Sequence, residues 1–189
     1  MDSKLQIISG AYRGRKLALP TGARPTQNMA RGAIFNMLTG FVYDWQKMTV
    51  WDAFAGSGVL GIEILSRCPD ATVIFTDVAD ESIKTVQKNV SGLNTDWTRY
   101  KIDQNDAIER ICKYGPRAEL VFVDPPYENA DLGIEFVTKL AECARAGTVV
   151  VQEIESNVPY SPDETKWDVL RDKKYGRARF LILRRNGNK

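Results

Sequence analysis

Two short runs hold most of the residues able to do chemistry. Asp124-Pro125-Pro126-Tyr127 follows an apolar run and sets a hydrogen-bond acceptor, a stiffened turn and an aromatic face side by side. Upstream, Asp52-Ala53-Phe54-Ala55-Gly56-Ser57-Gly58-Val59-Leu60-Gly61 places glycines at G-x-G-x-x-G spacing behind an acid. In a strand–turn–helix context such glycines let the backbone turn sharply and approach a nucleotide-like ligand. The sequence contains no histidine, which removes the usual hydrolase triads, His-ligated metal sites and the commonest general base. Any chemistry must therefore run on carboxylates, backbone groups and a cofactor.

The Asp-Pro-Pro-Tyr run suits an exocyclic amine of a nucleobase. That nitrogen is a poor nucleophile because its lone pair is delocalised into the ring. Asp124 and the Pro125 carbonyl can accept the amine hydrogens and draw the lone pair out of conjugation. Pro125 and Pro126 fix φ and stiffen the turn, and Tyr127 offers a face to a base that has left its stack. S-adenosylmethionine (SAM) would bring its own electrophile, so no metal is required and the remaining work is positioning.

The glycines alone fit a nicotinamide dinucleotide or SAM. Asp52 favours SAM, because a carboxylate before the Phe54-Ala55-Gly56 turn could meet an ammonium but would repel a pyrophosphate. Asp77, at the end of the second expected strand, can bind ribose hydroxyls in either class. Asp106-Ala107 follows the third and can either read an adenine amino group or cap a helix; both roles stay open. The candidate cofactor residues are thus Asp52, Phe54, Gly56, Gly58, Asp77, Asp106 and Ala107.

These runs need a framework. From residue 48 onward, strands are expected near 49–54, 72–76, 98–102, 120–124 and 148–153, with helices near 59–67, 81–90, 107–114 and 132–144. Such alternation means βαβ crossovers and a mostly parallel sheet, with ligands at the carboxyl ends of the strands. Two further strands, 167–170 and 179–184, make a closing antiparallel hairpin, giving a seven-stranded α/β, Rossmann-like fold of the class I methyltransferase kind. Ahead of it, strands at 5–9 and 16–19 form a hairpin and a helix runs from 27 to about 38, with Thr26 as its N-cap. Residues 1–43 read as an N-terminal appendage and 44–189 as the SAM-dependent domain.

At 189 residues, with 43% hydrophobic and 26% charged residues, the composition is that of a folded globular chain. Nothing approaches the roughly 20 apolar residues that span a bilayer, and the start lacks the shape of a signal peptide, so a cytoplasmic protein is expected. Cys68, Cys112 and Cys143 are isolated in sequence, supporting neither a disulfide framework nor a zinc ribbon. Lys4, Arg13, Arg15, Lys16, Arg24 and Arg31 crowd the first part of the chain, and Arg171, Lys173, Lys174, Arg177, Arg179, Arg184, Arg185 and Lys189 the last. This asymmetry suits a polyanionic partner.

Taken together, the chain resembles the RsmD-type 16S ribosomal RNA (guanine-N2)-methyltransferases of bacteria. The likeness runs from Ile7-Ile8-Ser9-Gly10 and Tyr12-Arg13-Gly14-Arg15-Lys16-Leu17 through Arg24-Pro25-Thr26 and Phe35-Asn36-Met37-Leu38. It continues through Asp52 to Gly61 and Asp124 to Tyr127, and ends near Gln152-Glu153 and Lys174-Tyr175-Gly176. Met29 and Gly32 depart from it, standing where the family usually has an Arg and an acid. The resemblance implies SAM-dependent methylation of a guanine N2 amine in small-subunit ribosomal RNA, on an assembled or assembling subunit, by a monomer with no membrane role. Arg13, Arg15 and Lys16 would form the RNA arm, with Arg24 and Arg31 beside it. An adenine-N6 methyltransferase acting on DNA or RNA uses the same turn chemistry and is the alternative within the class. A nicotinamide-dependent oxidoreductase and a non-catalytic RNA-binding protein are the alternatives outside it.

Overall fold

A computed structural model describes residues 5–21, 28–42, 45, 47–126 and 129–187. Its elements in chain order are α1 (Asn28–Leu38), β1 (Thr49–Asp52), α2 (Val59–Arg67), β2 (Thr72–Asp77), α3 (Asp80–Ser91) and β3 (Tyr100–Gln104). They continue with α4 (Ala107–Tyr114), β4 (Leu120–Val123), α5 (Ala130–Cys143), β5 (Val149–Glu155), β6 (Trp167–Tyr175) and β7 (Ala178–Arg185). The seven strands form one sheet in the order β3-β2-β1-β4-β5-β7-β6. β1 to β5 are parallel, while β7 runs antiparallel to β5 and β6 antiparallel to β7. This is the class I methyltransferase sheet. Chain order reverses between β1 and β4, and the crevice at a reversal of this kind is where open α/β sheets bind ligands.

Burial follows from the strand sequences. β4, Leu-Val-Phe-Val, is buried throughout, as expected of a central parallel strand covered on both faces. Val50, Val73, Phe75 and Phe122 face a core closed by α1, α2 and α3. Trp51, Val121, Val123 and Leu181 face the other, closed by α4 and α5. α4 shows why periodicity finds helices: Ala107, Ile111 and Tyr114 recur every three to four residues and are its buried positions.

The N-terminal hairpin is reduced to a single antiparallel bridge between Gln6 and Lys16, not the two strands expected. Three backbone bonds cross it, from the Ile7 N–H to the Arg15 carbonyl (3.0 Å), the Leu17 N–H to the Leu5 carbonyl (2.9 Å) and the Gly14 N–H to the Ile7 carbonyl (2.8 Å), and other N–H groups of the segment donate to the helices. The Ile8 N–H donates to Glu63 on α2 (2.6 Å), the Tyr12 N–H to the Ser66 hydroxyl (2.9 Å) and the Ala18 N–H to Asn89 on α3 (2.8 Å). Leu5, Ile7 and Leu17 lie in the same core as α2 and β1, so this segment is moulded onto the sheet's helices.

Cys112 and Cys143, 31 residues apart in sequence, are brought together by the packing of α4 on α5. Their sulfurs lie 2.9 Å apart.

Candidate active site

The glycine turn leaves β1 and enters α2 through Gly58, whose φ of 77° is the left-handed conformation that glycine adopts without strain. Gly61 serves close approach: a Cβ there would sit 2.3 Å from the Phe75 ring, so α2 lies near β2 only because that atom is missing. At Gly56 a side chain would meet nothing within 4 Å, leaving open space above the turn.

Asp77 ends β2 half-buried, facing that space. Its Oδ2 accepts the Gly56 N–H at 2.8 Å and its Oδ1 the Ala79 N–H at 2.9 Å. A carboxylate has about four lone-pair sites, so capacity remains for ribose hydroxyls. Beside it Val78 is 65% exposed, an apolar surface that sequence reasoning passed over although its place directly after the strand-ending acid was visible. Asp106, exposed, caps α4 by accepting the Ile108 N–H at 2.7 Å, and Ala107 is buried behind it. Phe54 packs edge-on against Phe136 of α5, with centroids 5.4 Å apart, which ties the turn to the opposite helix layer. Open backbone, a ribose-type acceptor and an exposed apolar face beside it fit the adenosine part of SAM.

Asp52 is placed differently from the expectation. It is 2% exposed and accepts the Gly61 N–H at 3.0 Å, so it braces the turn from beneath and does not face the opening. Burial pushes its carboxyl up to about 7; the Gly61 N–H works against this, and the nearby Asp77 charge adds to it. A second brace was missed altogether. Asn89 looks like a helix-surface residue in sequence, yet its amide donates to the Ser57 carbonyl (2.8 Å) and the Ala18 carbonyl (3.0 Å), pinning the glycine turn to the N-terminal segment.

At the end of β4, adjacent to β1 in the sheet, Asp124 is half-buried, Pro125 buried and Pro126 exposed. The Pro126 carbonyl accepts the Asn129 N–H at 2.9 Å, which turns the chain into α5. Tyr127 and Arg24 lie outside the described residues. Gln152 of β5 pairs in register with Val123 and is fully buried, its amide and the Pro125 ring both lying close to Gly133 of α5. Among the described residues neither its amide nitrogen nor its oxygen has a hydrogen-bond partner. A glutamine inside a valine-rich strand was the available signal.

Arg13, Arg15 and Lys16 are exposed. Their turn docks on Ser66, through the Ala11 N–H to the Ser66 carbonyl at 2.7 Å. That is the far end of α2, about 13 Å from the glycine turn by helical rise. Arg31 is a correction. It is fully buried, donates to the Gln6 carbonyl at 2.7 Å and lies 3.8 Å from Glu63, itself fully buried and bonded to Arg67 at 3.1 Å. A guanidinium so enclosed locks α1 and the N-terminal segment onto α2 and cannot reach RNA.

The family model described as Conserved hypothetical protein 95 matches residues 5–184. Ribosomal RNA small subunit methyltransferase D of Escherichia coli K12 is 33% identical over 191 residues, covering 97% of this chain and 91% of that protein. Its namesake in Haemophilus influenzae is 27% identical, covering 95% and 93%. Among solved structures, Escherichia coli yhhF matches with a TM-score of 0.81 at 28% identity over 97% of this chain and 99% of that one. The rRNA methyltransferase aviRa of Streptomyces viridochromogenes shares the fold, with a TM-score of 0.66 at 16% identity over 89% and 88%. With a family model spanning nearly its whole length and a relative one-third identical almost end to end, the chain belongs to the RsmD family, together with ribosomal RNA small subunit methyltransferase D.

Proposed function

We propose that this protein methylates ribosomal RNA using SAM, and that its target is the exocyclic N2 amine of a guanine in 16S RNA. The observation that carries the reading is the adjacency of two sites on neighbouring strands. The Asp124-Pro125-Pro126 turn leaves β4 beside the glycine turn that leaves β1, with Asp77 and Val78 on the far side of the latter. The names of the similar proteins from Escherichia coli and Haemophilus influenzae support ribosomal RNA of the small subunit as substrate.

Asp77 would hold the ribose of the cofactor, Val78 would cover its adenine, and Asp106 would meet the adenine amine. Asp52 keeps the turn in shape from below. Bound there, SAM supplies a methyl group on a positively charged sulfur. The chain's own work concerns the amine. Asp124 and the Pro125 carbonyl accept its two hydrogens and turn its lone pair toward the methyl carbon, and the buried Pro125 limits drift of these acceptors. Once the nitrogen has been alkylated it carries an excess proton, which Asp124 would accept. Tyr127 would stack on the everted base. Residues 1–43 act as an RNA-binding arm on the methyltransferase domain 44–189, with Arg13, Arg15 and Lys16 holding phosphates remote from the target base.

The test is genetic and chemical. 16S RNA from cells lacking this protein should miss one N2-methylguanine, restored by the wild type. Losing a transition-state hydrogen bond typically costs a hundredfold to a thousandfold in rate, so Asp124→Ala should restore little or none while still binding SAM. Full restoration by Asp124→Ala would place the activation of the amine elsewhere.

A further inference from the structure

The N-terminal basic turn lies at the wrong end of α2 to hold RNA close to the target base, whereas another basic element lies at the right one. β5 runs parallel to β4, so Glu155 at its end is on the catalytic edge of the sheet. The pairing of Glu155 with Ala178 and of Tyr175 with Ala178 brings the β6–β7 turn to that same edge. Neighbouring strands lie about 4.8 Å apart, which puts β7 about 10 Å and β6 about 14 Å from β4. Nucleotides flanking an everted guanine fall within that reach.

The chemistry of this corner is specific. Arg179 is committed internally, bidentate to Asp172 at 2.8 and 2.7 Å and bonded to the Tyr160 carbonyl at 3.0 Å. It thereby forms the fixed floor of a groove of about 620 Å³ between residues 156–161 and the β6–β7 pair. Lys174 lines the groove beside Asp172, whose carboxyl its charge helps to hold below the usual range, and Lys173, the next residue along the strand, points to the opposite face; both are exposed. Arg177 at the tip has 81% of its side chain exposed and reaches Glu155 at 3.1 Å. Tyr175, 42% exposed, adds an aromatic face on the Lys173 side of the strand, its ring 5.9 Å from that of Phe180. Lysines on an edge strand also guard against sheet-to-sheet aggregation. That role does not call for a groove, an exposed ring and a place on the catalytic edge.

We propose that the β6–β7 tip forms a second RNA-binding surface that a single strand follows over the sheet edge, in which Lys174 on the groove face and Lys173 on the opposite face hold backbone phosphates flanking the target guanine and Tyr175, on the Lys173 face, stacks on a neighbouring base. This rests on the reading of the protein as a ribosomal RNA methyltransferase. Basic residues interleaved with an aromatic ring are how single-stranded RNA is tracked without reading its sequence.

The Lys173→Ala/Lys174→Ala double variant, assayed for binding to 16S RNA across a salt series, tests it. Each lost phosphate contact should reduce the salt slope by about 0.7–0.9, so the slope should fall by about 1.4–1.8 in all. SAM affinity and melting temperature should stay as in the wild type. Tyr175→Ala should weaken binding with no change of slope, since stacking releases no ions. An unchanged slope in the double variant, with a wild type that methylates, overturns this surface and leaves the enzyme reading standing. A wild type that methylates no RNA removes the enzyme reading itself.

Discussion

Replacing Asp52 with Asn should make the protein more stable at neutral pH, by an amount that vanishes in acid. Asp52 is 2% exposed, and burial raises its carboxyl from an ordinary 3.8 to about 7 despite the Gly61 N–H that it accepts. Below the lower value it is protonated in both the folded and the unfolded chain and contributes no difference. Between the two values the unfolded chain releases the proton and the folded chain keeps it, so rising pH favours unfolding. Above about 7 both forms are ionised and the penalty is constant. The displacement corresponds to about 4 kcal/mol at 1.36 kcal/mol for each pH unit. Asn still accepts the Gly61 N–H but carries no charge. Urea denaturation of both proteins from about pH 4 to about pH 8 measures the difference, and acids elsewhere cancel because both chains share them. The stability advantage of Asp52→Asn should grow from near zero to at most about 4 kcal/mol. An advantage that stays flat across this range would refute the assignment of a neutral, buried Asp52.

Three further outcomes follow from single contacts. Arg31→Met leaves Glu63 buried with less compensation and should cost about 3 kcal/mol in chemical denaturation, while leaving the salt slope of RNA binding untouched. Gln152→Met replaces a buried amide that is unpaired among the described residues with an apolar chain of similar shape and should gain about 1–3 kcal/mol; a loss would reveal a partner for the amide. Hydrogen peroxide should join Cys112 and Cys143, two thiols and one peroxide giving one disulfide and two waters. A loop of about 30 residues should add about 3–4 kcal/mol, read as a higher melting temperature and a linked peptide that Cys112→Ser abolishes, with the buried Cys68 remaining a thiol.

How much could be read from sequence depended on whether a residue's environment was local. α2 and α4 fall at their expected limits, because Val59–Arg67 and Ala107–Tyr114 carry their own apolar spacing and, for α4, an acidic cap. The mostly parallel sheet and its closing antiparallel pair were legible from βαβ alternation and from the missing helix after Glu153, whereas the order of the strands was not. β6 extends to Tyr175, well past the expected end. Its second half, Arg171-Asp172-Lys173-Lys174-Tyr175, is an exposed edge after a bulge between Val169 and Arg171, and edge strands carry no apolar alternation. The environments of Arg31 and Asn89 were hidden for another reason. Each is set by partners far away in the chain, so an arginine in a basic run looked like an RNA contact when its surroundings were Gln6 and Glu63. Cys112 and Cys143 likewise meet only through the packing of two helices.

The central claim is methyl transfer to a guanine amine. Small ribosomal subunits from cells lacking this protein should be incubated with the purified chain and SAM labelled in its methyl group, and the 16S RNA digested to nucleosides. Label recovered in N2-methylguanosine is the expected result. Label in N6-methyladenosine, or none in RNA at all, would contradict the account.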